Sequence, residues 1–414
     1  MKFLIHLFQL FIFLAASIFS EAQTRDSLDI KIGQMILIGL PQAKVDQKVL
    51  EEVRTGKVGS IILFEKNIPA KNSYSELKKI TWTYQHAAPI PLFIAIDQEG
   101  GKVNRLKEKY GFHRSVSAAK LGKYPLDSVR FYGETTAAAL AGLGINVNFA
   151  PVVDLASNPT NPIIAKVERA YSANPDSVVL FAREFIKQHR KLGIVTVLKH
   201  FPGHGSSKDD THLGLADVTN TWDEDELTPY RALIESSDVD GVMTAHIVNK
   251  KLDENALPGT LSSKINNDLL RNKLRYNGVV FSDDMQMHAI AKHYPLEEAV
   301  RLAILAGVDV LTFSNNIQGS QERTVDKVHE IIRKFVEDGT IPASRIDESF
   351  RRIMVLKNRL GGKAEEYYRQ ELVKAKQEAL RQEKIAEENA RRAKEEAMKA
   401  LEGKKKSEKR KKNQ

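Results

Sequence analysis

The chain has 414 residues, of which 42% are hydrophobic and 28% charged, with a formal net charge of +9 at pH 7 and no cysteine. This composition excludes wholesale disorder, and the lack of cysteine excludes disulfides, a lipid-modified cysteine and thiolate metal ligands. Packing alone must therefore stabilise the fold.

The first 22 residues predict a secretory signal peptide. Lys2 precedes an apolar run over residues 3–19, which ends at Ser20-Glu21-Ala22 with small residues at the positions that precede a cleavage site. A membrane anchor is the alternative, but the run is shorter than the ~20 residues that a bilayer span needs. We expect a mature chain that begins at Gln23, is exported to the periplasm or secreted, and has no stable membrane span.

Eight apolar runs rich in β-branched residues then alternate with stretches of helical periodicity. They cover residues 35–40, 58–64, 92–97, 145–154, 194–200, 241–247, 278–284 and 308–313. Continuous apolar runs are typical of parallel strands that are covered on both faces. The pattern predicts an α/β fold, a single (β/α)8 barrel over residues 23–362. An open doubly wound sheet is the alternative, although no run is followed by a glycine-rich phosphate-binding motif.

Polar residues follow the carboxyl ends of these predicted strands. They are Asp97, Asp154, Lys199 with His200, His246, Asp283 with Asp284, and Ser314. In a barrel these ends meet at one mouth, so the residues could line one pocket. A buried, hydrogen-bonded polar residue is the alternative at any single position.

The stretch KHFPGHGSSKDDTH, residues 199–212, allows a metal site or a proton-transfer site. Histidines at i and i+4 bind zinc from one helical face, but Pro202, Gly203 and Gly205 make a helix there improbable, so we expect no metal. Asp210 lies two residues before His212, after a small, polar segment that we expect to be mobile. In an extended backbone Asp210 could hydrogen-bond the imidazole of His212 and favour its protonated form.

A proton donor needs a partner, and the segment FSDDMQM supplies one. Asp283 follows Ser282 at the end of a buried run, where it could act as a nucleophile or serve as a structural carboxylate. Glycosidases need an acid to protonate the leaving oxygen and a carboxylate to attack the anomeric carbon. Asp97 and Arg105, in DQEGGKVNRL, offer groups that hydrogen-bond sugar hydroxyls.

These motifs together resemble glycoside hydrolase family 3, in its single-domain β-N-acetylglucosaminidase branch. The resemblance rests on KHFPGHG with D-T-H, IDQEGGKVNRL, NFAPVVDL and FSDDMQM, and it extends over residues 29–362. It implies a retaining double displacement without a cofactor. Asp283 would be the nucleophile, His212 the acid/base and Asp210 its partner, and the sugar would be bound by Asp97, Arg105, Arg169, Lys199 and His200.

The chain departs from that family around Arg169. NPIIAKVERAYS has two more residues than the family pattern and places Ala170-Tyr171 where the family has Ser-Phe. The departure lies directly beside Arg169.

The resemblance implies an exo-acting enzyme on cell-wall fragments or chitin-type oligosaccharides. A β-glucosidase or a glycoside phosphorylase on the same fold is an alternative, because a histidine acid/base does not repel phosphate. A non-catalytic wall-binding protein is the alternative of a different class. We expect a monomer that binds carbohydrate and no nucleic acid.

Residues 363–414 form a charged tail with 17 Lys and Arg against 11 Asp and Glu, which leaves a net charge of only +3 for the rest of the chain. Opposite charges four residues apart favour a solvated helix without a core. Contact with anionic envelope polymers is the alternative for this tail.

Overall fold

The computed structural model describes residues 28–211, 214–318 and 325–360, together with residues 388 and 391. The chain divides into two units, Met1–Ala364 and Glu365–Gln414, and the fold described here is that of the first. The predicted signal peptide and nearly all of the predicted tail lie outside the described residues. Among the helices within the described ranges, none combines the length and apolarity that a bilayer crossing requires.

Eight parallel strands close into a barrel, as predicted. The barrel strands are β1 Ile36–Gly39, β2 Ser60–Leu63, β3 Phe93–Ile96, β4 Val147–Asn148, β5 Val195–Phe201, β7 Gly241–Thr244, β9 Val279–Asp284 and β10 Val310–Phe313. Their order around the ring is β1-β10-β9-β7-β5-β4-β3-β2, and β2 pairs with β1. Each strand lies within one of the eight apolar runs or extends it by one residue, because a strand covered on both faces needs no alternation of polar and apolar side chains.

Helices connect successive strands and cover the outside of the barrel. The α-helices are Leu28–Gln34, Gln47–Arg54, Ser73–Ala87, Ala118–Leu121, Leu126–Gly142, Pro175–Lys191, Thr228–Glu235, His288–Ala291, Leu296–Leu305, Val325–Glu337 and Ala343–Lys357. A π-helix, Lys264–Lys273, makes the crossover from β7 to β9. This alternation of strand and helix is the (β/α)8 fold, so the open doubly wound sheet is excluded.

Aromatic side chains fill the barrel below its mouth. The rings of Phe93 and Phe149 lie 5.9 Å and 5.5 Å from that of Phe281, centroid to centroid, and all three are fully buried. Offset and edge contacts at these distances are favourable for aromatic pairs. Because Phe149 also lines the pocket at the mouth, these rings form an apolar floor under the polar groups described next.

A two-stranded sheet lies outside the barrel, next to the segment that contains His212. It pairs β6, Ala216–Asp217, with β8, Ile247–Val248. Ala216 and Ile247 are fully buried with Ala245 and Val218, and Trp222 packs against them. The chain that follows residues 212–213 is therefore held in place by apolar packing from Ala216 onward.

Candidate active site

A pocket of about 590 Å³ opens at the carboxyl ends of the barrel strands. This volume lies within the ~300–1,000 Å³ that is usual for small-molecule sites. The pocket brings together six of the eight residues that the sequence predicts as catalytic or sugar-binding, namely Asp97, Arg105, Arg169, Lys199, His200 and Asp283. Chain segments far apart in sequence thus meet at one site, as the barrel predicts.

Lys199 joins two carboxylates on one wall of the pocket. Its Nζ lies 2.7 Å from Asp97 Oδ1 and 2.6 Å from Glu99 Oε1, and the Lys199 side chain is only 2% exposed. Arg105 Nη2 lies 3.4 Å from the other oxygen of Asp97. Burial alone would raise the pKa of Asp97, but Lys199 and Arg105 hold it below its usual value. This wall therefore presents fixed, ionised groups to a ligand.

Glu99 is a pocket residue that the sequence analysis did not select. It accepts two hydrogen bonds of 2.7 Å from Arg169, one from Nε and one from Nη2. Burial would raise its pKa, but Arg169 and Lys199 together lower it well below the ordinary value. Glu99 stands two residues after Asp97 in DQEGG. Because residues two apart in an extended backbone project to the same side, this spacing could have indicated that Glu99 lines the pocket with Asp97.

Arg169 lines the pocket despite the unusual sequence around it. Besides its two hydrogen bonds to Glu99, Arg169 donates from Nη1 to the carbonyl of Ile163 at 3.0 Å. Its Nη2 lies 3.1 Å from His200 Nε2. Burial tends to lower the pKa of Arg169, but Glu99 outweighs that effect and raises it. The extra residues of NPIIAKVERAYS are thus accommodated without moving the guanidinium away from the site.

His200 is held through both ring nitrogens. Nδ1 lies 2.6 Å from Asp154 Oδ2, and Nε2 faces Arg169, whose guanidinium can only donate. Nε2 therefore accepts, and the proton is on Nδ1. The same carboxylate accepts the backbone N–H of His204 at 2.8 Å and that of His200 at 3.1 Å. Asp154, which the sequence placed only at a strand end, thus orients His200.

The segment that follows His200 is packed at first and becomes exposed at Lys208 and Asp209. Residues 201–207 are buried, and Asn161 Nδ2 donates to the carbonyls of His204 at 2.8 Å and Gly205 at 3.0 Å. Asn158 Nδ2 donates to the carbonyl of Ser207 at 2.8 Å. Burial lowers the pKa of His204 to about 4, so this ring is neutral at physiological pH.

Glu226 lies beneath this segment and is 1% exposed. Its carboxyl accepts from the backbone N–H of Leu155 and from Ser157 Oγ, each at 3.3 Å. A Cβ added at Gly205 would lie 2.7 Å from Glu226 Oε1, so the glycine is needed for this close approach. Burial, with the nearby charge of Asp154, raises the pKa of Glu226 to about 8.

Asp283 and Asp284 end β9 in different environments. Asp283 is half-buried and lines the pocket, and its Oδ1 accepts the backbone N–H of Asp284 at 2.8 Å. Asp284 is buried and accepts from Ser314 Oγ, from the Ser314 N–H at 3.2 Å and from the Gln286 N–H at 3.1 Å. Burial raises the pKa of Asp284 to about 6 despite these bonds. Both carboxylates line the pocket, and the protein holds that of Asp284 through three hydrogen bonds.

His212 lies outside the described residues, so its contact with Asp210 stays a prediction. Thr211, the residue before it, lines the pocket and is 2% exposed. Asp210 is half-buried, and its carbonyl accepts the backbone N–H of Gly214 at 3.3 Å. The chain therefore reaches the pocket at the position that precedes His212.

The geometry defines a class of protein. In the eight-stranded ring β9 and β3 are four places apart, so Asp283 faces Asp97 and Glu99 across the mouth. One wall offers fixed charges that can hydrogen-bond several hydroxyls, and the other offers a carboxylate that ends a strand. This is the arrangement of a barrel hydrolase that acts on a polyhydroxylated substrate.

Comparison with known proteins gives the family. Residues 27–356 match the Glycosyl hydrolase family 3 N terminal domain. A β-hexosaminidase of Tolumonas auensis is 35% identical over 69% of this chain and 84% of its own length. A family 3 β-N-acetylglucosaminidase from Paenibacillus sp. superposes with a TM-score of 0.73 at 32% identity, over 81% of this chain.

A β-N-acetylhexosaminidase from Beutenbergia cavernae superposes with the same TM-score of 0.73 at 27% identity, over 80% of this chain and 98% of its own. The chain spans 62% of the larger Paenibacillus protein. The chain belongs to glycosyl hydrolase family 3. It is a glycoside hydrolase similar to β-hexosaminidases, and the resemblance seen in its motifs is confirmed.

Proposed function

We propose that this protein is an exported exo-glycosidase that removes terminal β-linked N-acetylglucosamine from peptidoglycan fragments or chitin-type oligosaccharides. The observation that carries the proposal is the pocket in which Asp283 faces the cluster of Asp97, Lys199, Glu99 and Arg169. A site with a carboxylate at the end of a strand on one wall and ion-paired charges on the other suits a reaction in which a held sugar is attacked at its anomeric carbon.

Asp283 is the nucleophile in this proposal. Asp97 and Glu99 are each ion-paired to two cations, which makes them poor nucleophiles and good sugar ligands. Asp284 is buried with a raised pKa of about 6 and is bonded to Ser314, so it supports β9 rather than attacks. Attack by Asp283 would form a glycosyl-enzyme that water then hydrolyses, with overall retention.

His212 is the acid/base in this proposal, with Asp210 as its partner. Neither described histidine of the KHFPGHG motif suits that role, because His200 is bonded on both nitrogens and His204 is buried with a lowered pKa. Thr211 lines the pocket, which supports a neighbouring residue as the proton donor. The donor would protonate the leaving oxygen first and activate water in the second step.

The sugar preference rests on the relatives. Proteins similar to this chain are named β-hexosaminidase and β-N-acetylglucosaminidase, and one from Cellulomonas fimi is named β-N-acetylglucosaminidase/β-glucosidase. We infer that Asp97, Lys199 and Arg105 accept and donate hydrogen bonds to hydroxyls of the terminal sugar. His200 and Arg169 would complete the same sugar site.

A small panel of aryl glycosides tests the proposal. Turnover of p-nitrophenyl β-N-acetylglucosaminide well above that of the β-glucoside, without dependence on phosphate, is the expected result. Turnover that favours the glucoside, or that requires phosphate and yields a sugar phosphate, would replace the proposal with a glucosidase or a phosphorylase. No turnover of any glycoside by folded protein would indicate a binding protein.

Export is proposed from the sequence at residues 1–22. N-terminal sequencing of the protein from the periplasm or medium should give Gln23 as the first residue. Protein found only in the cytoplasm and beginning at Met1 would contradict export and leave the proposed chemistry untouched.

A further inference from the structure

Thr211 is a buried residue in a stretch of chain whose other described residues are open to solvent. It is 2% exposed and lines the pocket. The described residues around it, 208–210, 214 and 215, are exposed or half-buried. A buried hydroxyl costs free energy unless it is hydrogen-bonded. Of the described residues from 208 to 215, Thr211 is therefore the one whose side chain and backbone need partners within the protein.

The hydroxyl of Thr211 faces the segment that follows β5. Its Oγ1 lies 3.5 Å from His204 Nε2. Burial lowers the pKa of His204 to about 4, so the ring is neutral, and a neutral ring nitrogen can accept from a hydroxyl or donate to it. The backbone N–H of His204 donates to Asp154 Oδ1 at 2.8 Å, and the same carboxylate orients His200. Through His204, Thr211 is thus connected to the wall that is proposed to hold the sugar.

The carbonyl of Thr211 faces the opposite side of the site. It accepts the backbone N–H of Ala289 at 3.3 Å, and Ala289 is fully buried in the short helix that follows β9. Met287, just before that helix, lines the pocket, and its N–H donates to the carbonyl of Asp284 at 2.9 Å. A few residues of hydrogen-bonded chain therefore connect Thr211 to the end of β9, where Asp283 stands.

We propose that Thr211 is a positioning residue that fixes the place of the proton donor, His212, relative to the nucleophile, Asp283. The inference rests on the proposed function, which gives those two residues their roles. A double displacement needs the acid and the nucleophile at a set separation across the cleaved bond, and a misplacement of about 1 Å can lower the rate about 10²-fold. Thr211 contacts both sides of the site and is joined to His212 by one peptide bond, so its contacts restrict where that residue can lie.

Two substitutions separate the hydroxyl of Thr211 from its methyl group. Thr211→Val keeps the branched shape and removes the hydroxyl, whereas Thr211→Ser keeps the hydroxyl and removes the methyl. Each variant is assayed on a substrate with a sugar–sugar bond, whose leaving oxygen needs protonation, and on an activated aryl glycoside, whose leaving group does not. Thr211→Val should lower kcat/KM for the sugar–sugar bond roughly ten- to a hundredfold, and that for the aryl glycoside by less than about threefold. Thr211→Ser should stay within about threefold of the wild type on both substrates.

Thr219→Val is the matched control for loss of a threonine hydroxyl. Thr219 is half-buried, and its Oγ1 accepts the backbone N–H of Lys250 at 3.0 Å, but it does not line the pocket. Loss of this bond should leave the ratio of the two kcat/KM values unchanged. His204→Phe removes the ring nitrogen that faces Thr211 and should reproduce the selective loss. The double variant Thr211→Val/His204→Phe should add little to that loss, because both changes remove one contact, and an additive loss would overturn the proposal.

His212→Ala shows which part of the account has failed if the expected pattern is absent. Suppose that His212→Ala has the selective loss and Thr211→Val keeps a ratio within about twofold of the wild type, or loses equally on both substrates. The positioning role of Thr211 would then be overturned, and the proposed function would stand. A selective loss in Thr211→Val without one in His212→Ala would overturn both, because Thr211 would then position a different donor.

Hydrogen exchange of the Ala289 N–H tests the positioning without any turnover. Release of Thr211 would remove the carbonyl to which this N–H is bonded, so exchange should be at least about tenfold faster in Thr211→Val and unchanged in Thr211→Ser. The Met287 N–H, which donates to the Asp284 carbonyl, is the internal reference and should exchange alike in all three proteins. Equal exchange of Ala289 in Thr211→Val and the wild type would overturn the proposal even if every glycoside is hydrolysed. Faster exchange would support it even if none is.

Discussion

Replacing Glu226 by glutamine should change how the stability of the protein depends on pH. Glu226 is 1% exposed, and burial raises its pKa from 4.5 to about 8. Below pH 4.5 the carboxyl is protonated in the folded and the unfolded chain alike. Between pH 4.5 and 8 the unfolded chain releases the proton while the folded chain keeps it, so stability falls as pH rises.

The size of the effect follows from the two pKa values. One pKa unit corresponds to about 1.36 kcal/mol, so a rise from 4.5 to about 8 makes ionisation cost the folded state about 5 kcal/mol at pH 8 and above. Glu226→Gln is neutral at every pH and keeps an oxygen that can accept from Leu155 and Ser157. The variant should therefore exceed the wild type in free energy of unfolding by about 1 kcal/mol or less near pH 5 and by several kcal/mol near pH 8.

Urea unfolding of both proteins from pH 5 to 8.5 measures this directly. Subtracting one curve from the other cancels the contributions of the titrating groups that both proteins share. Asp284, whose pKa is raised to about 6, is such a group and titrates in the same pH range. Glu224→Gln is the matched control, because Glu224 is in the same 3-10 helix as Glu226, Glu224–Leu227, and its side chain is 64% exposed. Parallel pH curves for wild type and Glu226→Gln would refute the assignment of a protonated, buried carboxyl.

Three further predictions concern the pocket. His212→Ala should impair hydrolysis of a sugar–sugar bond about 10²–10⁴-fold but an activated aryl glycoside far less, because a phenolate leaves without protonation; equal loss on both substrates would contradict its role. Arg169→Ala removes two hydrogen bonds from the buried carboxylate of Glu99, so thermal unfolding should show the free energy of unfolding lowered by about 3–5 kcal/mol. Kinetic measurements on the same variant should show a raised KM. Asp284→Asn keeps an acceptor for the Ser314 N–H, so its kcat should fall less than that of Asp284→Ala; the reverse order would argue for a catalytic charge at Asp284.

The barrel could be predicted from the sequence because its signal is local. Each strand is a continuous apolar run, and parallel strands covered by helices require that pattern whatever their neighbours are. The convergence of strand ends at the mouth follows from closure of the barrel, so Asp97, Lys199 and Asp283 could be placed in one pocket. His246 could not be placed correctly, since its ring points to Thr260 and the Asp284 carbonyl, at 2.8 Å and 2.9 Å, and does not line the pocket.

Residues whose importance depends on tertiary partners were missed. Glu99 is important because Arg169, 70 positions away in sequence, donates two hydrogen bonds to its carboxylate. Glu226 is important because the segment after β5 packs over it. Neither relation leaves a periodic pattern. The burial of residues 201–207 could not be predicted for the same reason, because Asn158 and Asn161 satisfy the backbone of a segment that looks like an open loop in sequence.

The most direct test of the catalytic proposal is to trap the intermediate. A fluorinated N-acetylglucosamine-type inactivator with a good leaving group should form a covalent adduct, and peptide mapping should locate it on Asp283. Asp283→Ala should form no adduct and lose activity. An adduct on Asp284, or hydrolysis that inverts the anomeric configuration without any adduct, would contradict a double displacement through Asp283.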